Sequence, residues 1–356
     1  MPRIASLALM LMLSSHSALA GDWNWADDTN FPQAEYQPSK ALCSRLRGMQ
    51  PPAEDRPSAE DGKQLKDCDS EELYYGIGMP ANPVRARQCA MREAEQGDNS
   101  SNGFTGIGML MTIYANGVGA HRDLQLATAL ACRVEGAAAE LGGRIAHLQQ
   151  LQERHWPGHD FSFCDDITSG FAGGVCARHE ARLRTQRRLQ RLDQIEMHWT
   201  AAQRAAWQPL LAAAQVFAEV SSENEVDLSG SARLALVADH EQEQLDAFVT
   251  LLEALESSRL PTAGIAERKA ADDRLNTVFR KVMTNTDGPA GNASEIRDAG
   301  TVTVGDVRKA QRAWIHYRDA WLQFANMRYP QRGDSLATWL TRQRTDALSG
   351  WLPASE

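Results

Sequence analysis

The fold class of this chain is decided by the stretch Asp306-Val307-Arg308-Lys309-Ala310-Gln311-Arg312-Ala313-Trp314-Ile315-His316-Tyr317-Arg318-Asp319-Ala320-Trp321. Its apolar residues recur at steps of three or four, which places them on one face of an α-helix. These residues are Val307, Ala310, Trp314, Tyr317, Trp321 and, just beyond the stretch, Phe324. Polar and charged side chains cover the opposite face, so the pattern predicts a core helix with an aromatic buried side. Thr303 or Asp306 can cap its start.

Helical periodicity continues through most of the chain, and no run alternates as a β-strand does. Upstream of the quoted stretch, we expect helices from Ala177 onward, from Thr200 to Val220 with a kink at Pro209, from Ala232 to Glu256 and from Ile265 to Met283. A last helix is expected from Asp334 to Leu348. The sequence therefore predicts an all-α fold, with helical repeats in the N-terminal part and helical-bundle units after them.

The first twenty residues have the pattern of a secretory signal. Arg3 supplies the positive charge, an apolar run follows, and Ala18-Leu19-Ala20 matches a cleavage site, so we expect cleavage after Ala20 and a periplasmic or secreted protein. This apolar run is too short to cross a bilayer, and no other segment is long and apolar enough to do so. Arg3 is the only charged residue removed, so the net charge changes from −9 to −10, which argues against nucleic acid as the main partner.

All six cysteines follow the predicted signal, and an even number in an exported protein indicates disulfides. Sequence order suggests the pairs Cys43–Cys68, Cys89–Cys132 and Cys164–Cys176, although other pairings are open. The residues after Cys176 contain no cysteine, so that half of the chain must be held together by packing alone.

An internal repeat lies in the first half of the chain. Gly76-Ile77-Gly78, followed by Asn82 and Ala86, returns about 40 residues later as Gly117-Val118-Gly119, followed by Asp123 and Ala127. This period, with a glycine turn between two helices, is typical of a helical solenoid. The pattern resembles the SEL-like repeat, a relative of the tetratricopeptide unit, over roughly residues 68–150.

Three ordered motifs surround the opening stretch. The first is Asp272-Asp273-Arg274-Leu275-Asn276-Thr277-Val278-Phe279, the second is the opening stretch itself, and the third is Leu340-Thr341-Arg342-Gln343-Arg344-Thr345-Asp346-Ala347-Leu348. Together they resemble the lysozyme inhibitor LprI family over about residues 262–350. The resemblance implies an exported helical module that inhibits lysozyme. Members usually carry a cysteine shortly after the Tyr-Arg-Asp motif, and this chain has none there.

The polar residues of these motifs are expected to tie helices together. Asp272 and Asn276 lie one helical turn apart beside an apolar seam, where an unpaired buried polar group costs about 1–3 kcal/mol. We predict that Gln311, Arg312 and Arg318 supply their partners, because arginine binds a carboxylate through two hydrogen bonds. The motif and structural set is completed by Trp314, Tyr317, Asp319 and Arg344.

A degenerate copy of the opening stretch lies upstream. Ala202-Gln203-Arg204-Ala205-Ala206-Trp207 repeats Ala310-Gln311-Arg312-Ala313-Trp314 with one inserted alanine, and Phe217-Ala218 repeats Phe324-Ala325. Duplication is the favoured explanation, and chance similarity between two alanine-rich amphipathic helices is the alternative. The resulting organisation is a signal peptide (1–20), an irregular lead (21–67), SEL-like helical repeats (68–154), a disulfide loop (155–176), a degenerate LprI-like unit (177–258) and an LprI-like domain (262–352).

No sequence motif indicates an enzyme. The chain lacks His-Glu-x-x-His, Gly-x-Ser-x-Gly and a phosphate-binding glycine loop, and we expect no cofactor and no metal. A cluster of histidine, aspartate and cysteine residues between His155 and His179 could bind zinc. A Cys164–Cys176 disulfide is favoured over zinc, because the protein is predicted to be exported and the spacing is not that of a zinc knuckle.

One acidic loop is a candidate binding site. Glu223, Glu225 and Asp227 are expected either to be solvated or to contact a basic partner, which would speed association. The sequence therefore favours an exported, non-enzymatic protein that binds another protein. A basic lysozyme-type muramidase is the first choice of partner. The alternatives are an envelope scaffold or an immunity protein acting through the helical repeats, and an enzyme acting on peptidoglycan ranks last.

Overall fold

The computed structural model describes residues 23–97, 102–289 and 291–353. The predicted signal peptide and its cleavage site lie outside these residues. Within them the chain is helical, with no strand and two isolated β-bridges in the loop between residues 285 and 303. The all-α prediction is confirmed. Among the described helices, none combines the length and apolar character that crossing a membrane requires.

The chain divides into two compact units. The N-terminal unit contains the residues before Ile77 and Ala81–Ser162, and the C-terminal unit contains Ile77–Pro80 and the residues from Phe163 onward. The helices of the N-terminal unit are α1 (Gln37–Leu46), α2 (Ala59–Gln64), α3 (Ser70–Tyr75), α4 (Pro83–Glu95), α5 (Gly106–Asn116), α6 (Leu124–Ala131) and α7 (Ala138–Glu153).

The segment expected to be an irregular lead contains two helices. Pro38 does not prevent α1, because it lies in the first turn, where its missing N–H would have no partner within the helix. A capping box between Ser58 and Asp61 starts α2. Trp25 is fully buried, and its indole N–H donates to Ser39 Oγ at 2.9 Å. The lead is therefore part of the N-terminal core.

The repeated glycine pattern forms two similar helix–turn–helix pairs. Gly76 ends α3 and Gly117 ends α5, each in the left-handed region, where glycine carries no Cβ penalty. Asn82 then caps α4 and Asp123 caps α6, each through a side-chain oxygen that accepts a backbone N–H. The local geometry explains why these residue types recur. The relationship to SEL-like repeats stays a prediction.

The three disulfides join Cys43 to Cys132, Cys68 to Cys89 and Cys164 to Cys176. The first two pairs suggested by sequence order are wrong, and the third is correct. The reason is tertiary: α1 packs against α6, which brings Cys43 to the end of α6 from far along the chain. Sequence order favoured near neighbours and could not show this packing.

The described part of the C-terminal unit contains six α-helices: α8 (Gly170–Glu196), α9 (Ala201–Asn224), α10 (Arg233–Glu256), α11 (Ile265–Thr284), α12 (Val304–Arg328) and α13 (Gly333–Ser349). The loop predicted for residues 155–176 ends earlier than expected, because α8 already begins at Gly170. Ser169 caps this helix by accepting from the backbone N–H of Ala172. The Cys164–Cys176 disulfide links the 3-10 helix Phe163–Asp166 to the first turns of α8.

Helix α9 extends past the expected end at Val220. The polar residues after Val220 do not end it, because the side chains of Ser221, Ser222 and Asn224 donate to backbone carbonyls three or four residues back. These bonds are compatible with helical geometry and let the last turn continue. At the start of α12, Thr303 and Asp306 both take part, because together they form a capping box.

Helices α8–α10 and α11–α13 form two halves with the same pattern of contacts. In each half the first and third helices pack together, and the middle helices, α9 and α12, pack against each other across the halves. Each buried residue of α9 from Trp207 to Ala218 has a buried counterpart in α12 from Trp314 to Ala325 at one constant spacing. This correspondence is what duplication predicts, but two amphipathic helices packed in one core also share such spacing, so duplication stays a prediction.

The two halves share one hydrophobic core. The ring centre of Trp207 on α9 lies 5.4 Å from that of Phe324 and 6.5 Å from that of Trp321. Trp207 also stacks on Phe248 of α10, with 5.1 Å between the ring centres. Trp207 and Trp321 are both fully buried. Aromatic side chains bury the largest apolar areas, so these contacts contribute strongly to holding the halves together.

Candidate functional site

Arg344 is the point at which three helices of the C-terminal unit meet. Its guanidinium donates to both oxygens of Glu225, at 2.8 and 2.6 Å, and its Nε donates to Gln311 Oε1 at 2.8 Å. Glu225 follows the end of α9, Gln311 lies on α12, and Arg344 lies on α13. The paired side chains are only 3% and 5% exposed. This bidentate pair therefore joins the two halves at a dry position.

A buried pair of this kind specifies geometry more than it adds net stability, because both charges lose their hydration. Losing one partner is costly, since the other charge would then be buried alone. Gln311 satisfies the remaining Nε–H of Arg344, so the guanidinium is held in one orientation. The arrangement can fix the position of everything that packs beside it.

A cleft of about 400 Å³ opens beside the ion pair. Aromatic residues from α12 and α13 line it, and carboxylates of α10 and α13 lie on its rim. The lining includes Trp314, Tyr317, Trp339, His240, Glu243, Asp346 and the Glu225–Arg344 pair. Most of these residues belong to the second and third sequence motifs or lie within a turn of them, so the motifs mark one surface feature.

The ionisable groups around the cleft have distinct roles. Burial lowers the pKa of His240, and the nearby carboxylates of Glu225 and Glu243 only partly oppose that effect, so the imidazole is neutral at neutral pH. Burial raises the pKa of the Tyr317 phenol well above its usual range. Tyr317 also stacks on Phe217 at 5.2 Å, so it is a core residue with one edge in the cleft.

The predicted partners of Asp272 and Asn276 are wrong. Asp272 accepts a hydrogen bond from Thr341 of α13 at 3.3 Å, and Asn276 lies exposed on α11. Arg318 pairs with Asp319 instead, and Arg312 lies exposed on α12. The prediction was correct in one respect, since Gln311 does link helices, through Arg344.

Arg318 and Arg312 lie at the surface of α12. Arg318 donates to its neighbour Asp319 at 2.9 Å, and its guanidinium lies 5.2 Å from the ring centre of Trp314. Arg312 is exposed and lines a shallow groove with Glu223 and Lys309. These residues are not in the buried network.

The acidic loop separates into three environments. Glu225 forms the buried salt bridge with Arg344, and Glu223 is the one exposed carboxylate of the three. Asp227 accepts hydrogen bonds from the backbone and hydroxyl of Ser229 and from the backbone of Thr301, which lowers the pKa of its carboxyl to about 2. Gly300 is required beside it, because its φ is +60° and a Cβ would lie 2.1 Å from Asp227 Cγ. The three carboxylates therefore do not form one binding surface.

The cluster between His155 and His179 has no free thiolate to bind zinc. Cys164 and Cys176 are joined in a disulfide, so neither can bind a metal as a thiolate. Among the described residues, one group has ligand atoms close enough for a metal, and it consists of Cys68, Cys89 and Glu93. Its two sulfurs are also joined to each other.

Sequence reasoning missed the partner of Arg344 and the contributions of His240 and Trp339. Arg344 was selected through its motif, but nothing local connects it to Glu225, which lies 119 positions away. His240 had no pattern around it. Trp339 immediately precedes the third motif, and its position beside a motif was the one available signal.

Comparison with known families places the motif residues around Arg344 in one matched region. Residues 262–348 match the family model described as Lysozyme inhibitor LprI. The C-terminal region is an LprI domain. Searches of curated proteins and of solved structures found no match to the chain. The match covers α11–α13, so Gln311, Trp314, Tyr317 and Arg344 lie inside the LprI domain, whereas the helices of the first half lie outside it.

Proposed function

We propose that this chain is an exported, non-enzymatic protein that binds and inhibits a lysozyme or a related cell-wall-degrading muramidase. The observation that carries the proposal is the match of residues 262–348 to the LprI family, whose description is a lysozyme inhibitor. The C-terminal unit is the binding part, because the LprI domain shares its core with α8–α10.

Charge supports this choice of partner. The chain has a formal net charge of −9, so a basic muramidase would be attracted to it and would associate faster at low salt. The three disulfides fit a protein that folds outside the cytoplasm, where such partners occur. Export after removal of residues 1–20 is part of the proposal.

The direct test is the clearing of a peptidoglycan suspension by a basic c-type lysozyme, with and without the purified protein. We expect dose-dependent slowing of clearing, and no clearing when the protein is incubated with peptidoglycan alone. A basic protein without muramidase activity, added in excess, controls for charge: it should not relieve the inhibition if binding is specific. Clearing at the uninhibited rate in the presence of excess protein would refute the proposal.

The N-terminal unit supports a second candidate, an envelope scaffold or immunity protein that binds its partner through the paired helices. The observation in its favour is the recurring helix–glycine turn–helix geometry at Gly76 and Gly117, since stacked helix pairs commonly present binding surfaces. In the clearing assay this candidate predicts no inhibition and no clearing. Protection of cells from an unrelated delivered toxin would then support an immunity role.

A further inference from the structure

The cleft beside the Glu225–Arg344 pair has the charge of a site for a cation. Three carboxylates and one guanidinium line it, which leaves a net charge of −2 while His240 is neutral. Glu225 neutralises Arg344, so the excess charge comes from Glu243 and Asp346 on the rim. Among the described residues neither of these two carboxylates forms a salt bridge.

The aromatic walls favour a guanidinium. Trp339 lines the cleft and is partly exposed, and the face of an aromatic ring attracts cations through its quadrupole. Trp314 and Tyr317 line the cleft as buried residues. This region already uses the same contact internally, because Arg318 lies 5.2 Å from the Trp314 ring centre and Arg344 lies 6.0 Å from that of Phe217. A flat cation that stacks on a ring and pairs with a carboxylate fits such a site better than an ammonium does.

The shape limits the size of the ligand. A volume of about 400 Å³ is at the small end of the range for ligand pockets, about 300–1,000 Å³, and is enough for one long side chain. The buried Glu225–Arg344 pair lies at the inner end of the cleft, so the cleft is already shaped in the absence of a partner. Buried anchors in pockets of this kind supply much of the affinity of protein interfaces.

We propose that this cleft receives an arginine side chain from the basic muramidase, with Glu243 and Asp346 pairing its guanidinium and Trp339 stacking on it. The proposal rests on the proposed function and names the part of the partner that is recognised. The other acidic residues of the C-terminal unit add attraction at long range, whereas these two act in contact.

The test compares two double variants of the full chain with equal change in net charge. Glu243→Gln/Asp346→Asn removes the rim charges, and Glu219→Gln/Asp298→Asn removes two exposed charges outside the cleft. We expect the first to weaken binding to a basic c-type lysozyme at least about tenfold and the second to change it by less than about threefold. Equal weakening by both variants would overturn the proposal, because only long-range attraction would remain. Circular dichroism of both variants confirms that they are folded.

A second measurement does not require the muramidase. Acetyl-arginine-amide is titrated into the wild-type protein while the tryptophan indole N–H resonances are followed by nuclear magnetic resonance. We expect the Trp314 and Trp339 signals to shift with arginine, not with acetyl-leucine-amide, and not in Glu243→Gln/Asp346→Asn. If lysozyme is not inhibited but these shifts occur, the proposed function fails and the cation site stands. If lysozyme is inhibited and the shifts are absent, the cation site fails alone.

Discussion

The two units of this protein are stabilised by different chemistry. In the N-terminal unit, every residue of α5 is buried, and the disulfides Cys43–Cys132 and Cys68–Cys89 close its loops. The C-terminal unit has one disulfide, at the start of α8, and its other helices are joined by clustered aromatic rings and a buried ion pair. The first unit depends on covalent closure that restricts its unfolded state, and the second depends on buried area.

The resemblance to the LprI family implies a cysteine shortly after the Tyr-Arg-Asp motif, and this chain has none there. At that place Trp321 is fully buried against Trp207 and Phe248, which belong to the first half. These aromatic contacts join α12 to α9 and α10. Substitutions should therefore have different consequences in the two units.

The largest effect is expected for Trp321→Ala. Removing this side chain leaves a large cavity between the halves and should lower the free energy of unfolding of the C-terminal unit by about 4 kcal/mol. Urea unfolding followed by circular dichroism measures it. Met327→Ala on the exposed side of the same helix is the control and should cost less than about 1 kcal/mol. Equal effects would contradict the assignment of the core.

The disulfides of the N-terminal unit should come next. Removing Cys43–Cys132 with paired serine substitutions should cost about 3 to 4 kcal/mol, because it closes a loop with a sequence separation of 89. Removing Cys68–Cys89, with a separation of 21, should cost about 1 kcal/mol less. Thermal unfolding of the two variants decides the order. A larger loss from the shorter loop would show that loop entropy is not the main contribution.

Arg344→Met is expected to cost about 3 kcal/mol, because it leaves the Glu225 carboxylate buried without its cation. The double variant Glu225→Leu/Arg344→Met removes both charges and should recover most of this loss. Urea denaturation of the single and double variants provides the measurement. A double variant as unstable as the single one would mean that the pair itself, and not the stranded charge, supplies the stability.

Arg318→Ala should have the smallest effect, about 0.5 kcal/mol, because Arg318 makes a half-exposed pair with Asp319 and one contact with Trp314. The helix-linking role expected of Arg318 from the sequence would instead give a clear fall in melting temperature. Differential scanning calorimetry can resolve a change of this size. A loss comparable with that of Arg344→Met would restore the helix-linking role first expected of Arg318.

The helices were predictable because their signals are local. The period of three or four residues, the cap at Thr200 and the glycines at the repeat turns all act within a few positions of themselves. Helix α1 was missed because its proline occupies the one turn that tolerates it. Local signals therefore established most of the elements but not their contacts.

The candidate site was only half predictable. The three motifs selected Gln311, Trp314 and Arg344, because the resemblance to a family draws on residues that act together. The partner of Arg344 could not be found, since Glu225 lies outside the motifs and meets it through tertiary packing. For the same reason the partner of Cys43 could not be found, since Cys132 lies 89 positions away and meets it through the packing of α1 against α6. Cys68 and Cys89 then pair with each other inside that loop.

The central claim is that the LprI domain of this chain is completed by the helices before it. Its most direct test compares two fragments, residues 163–353 and residues 262–353, by urea unfolding with circular dichroism detection. The longer fragment should unfold in one cooperative transition. The shorter one should show none, because Trp321 and Phe324 lose Trp207 and Phe248 and become exposed. A cooperative transition of the shorter fragment at the same urea concentration would contradict the claim.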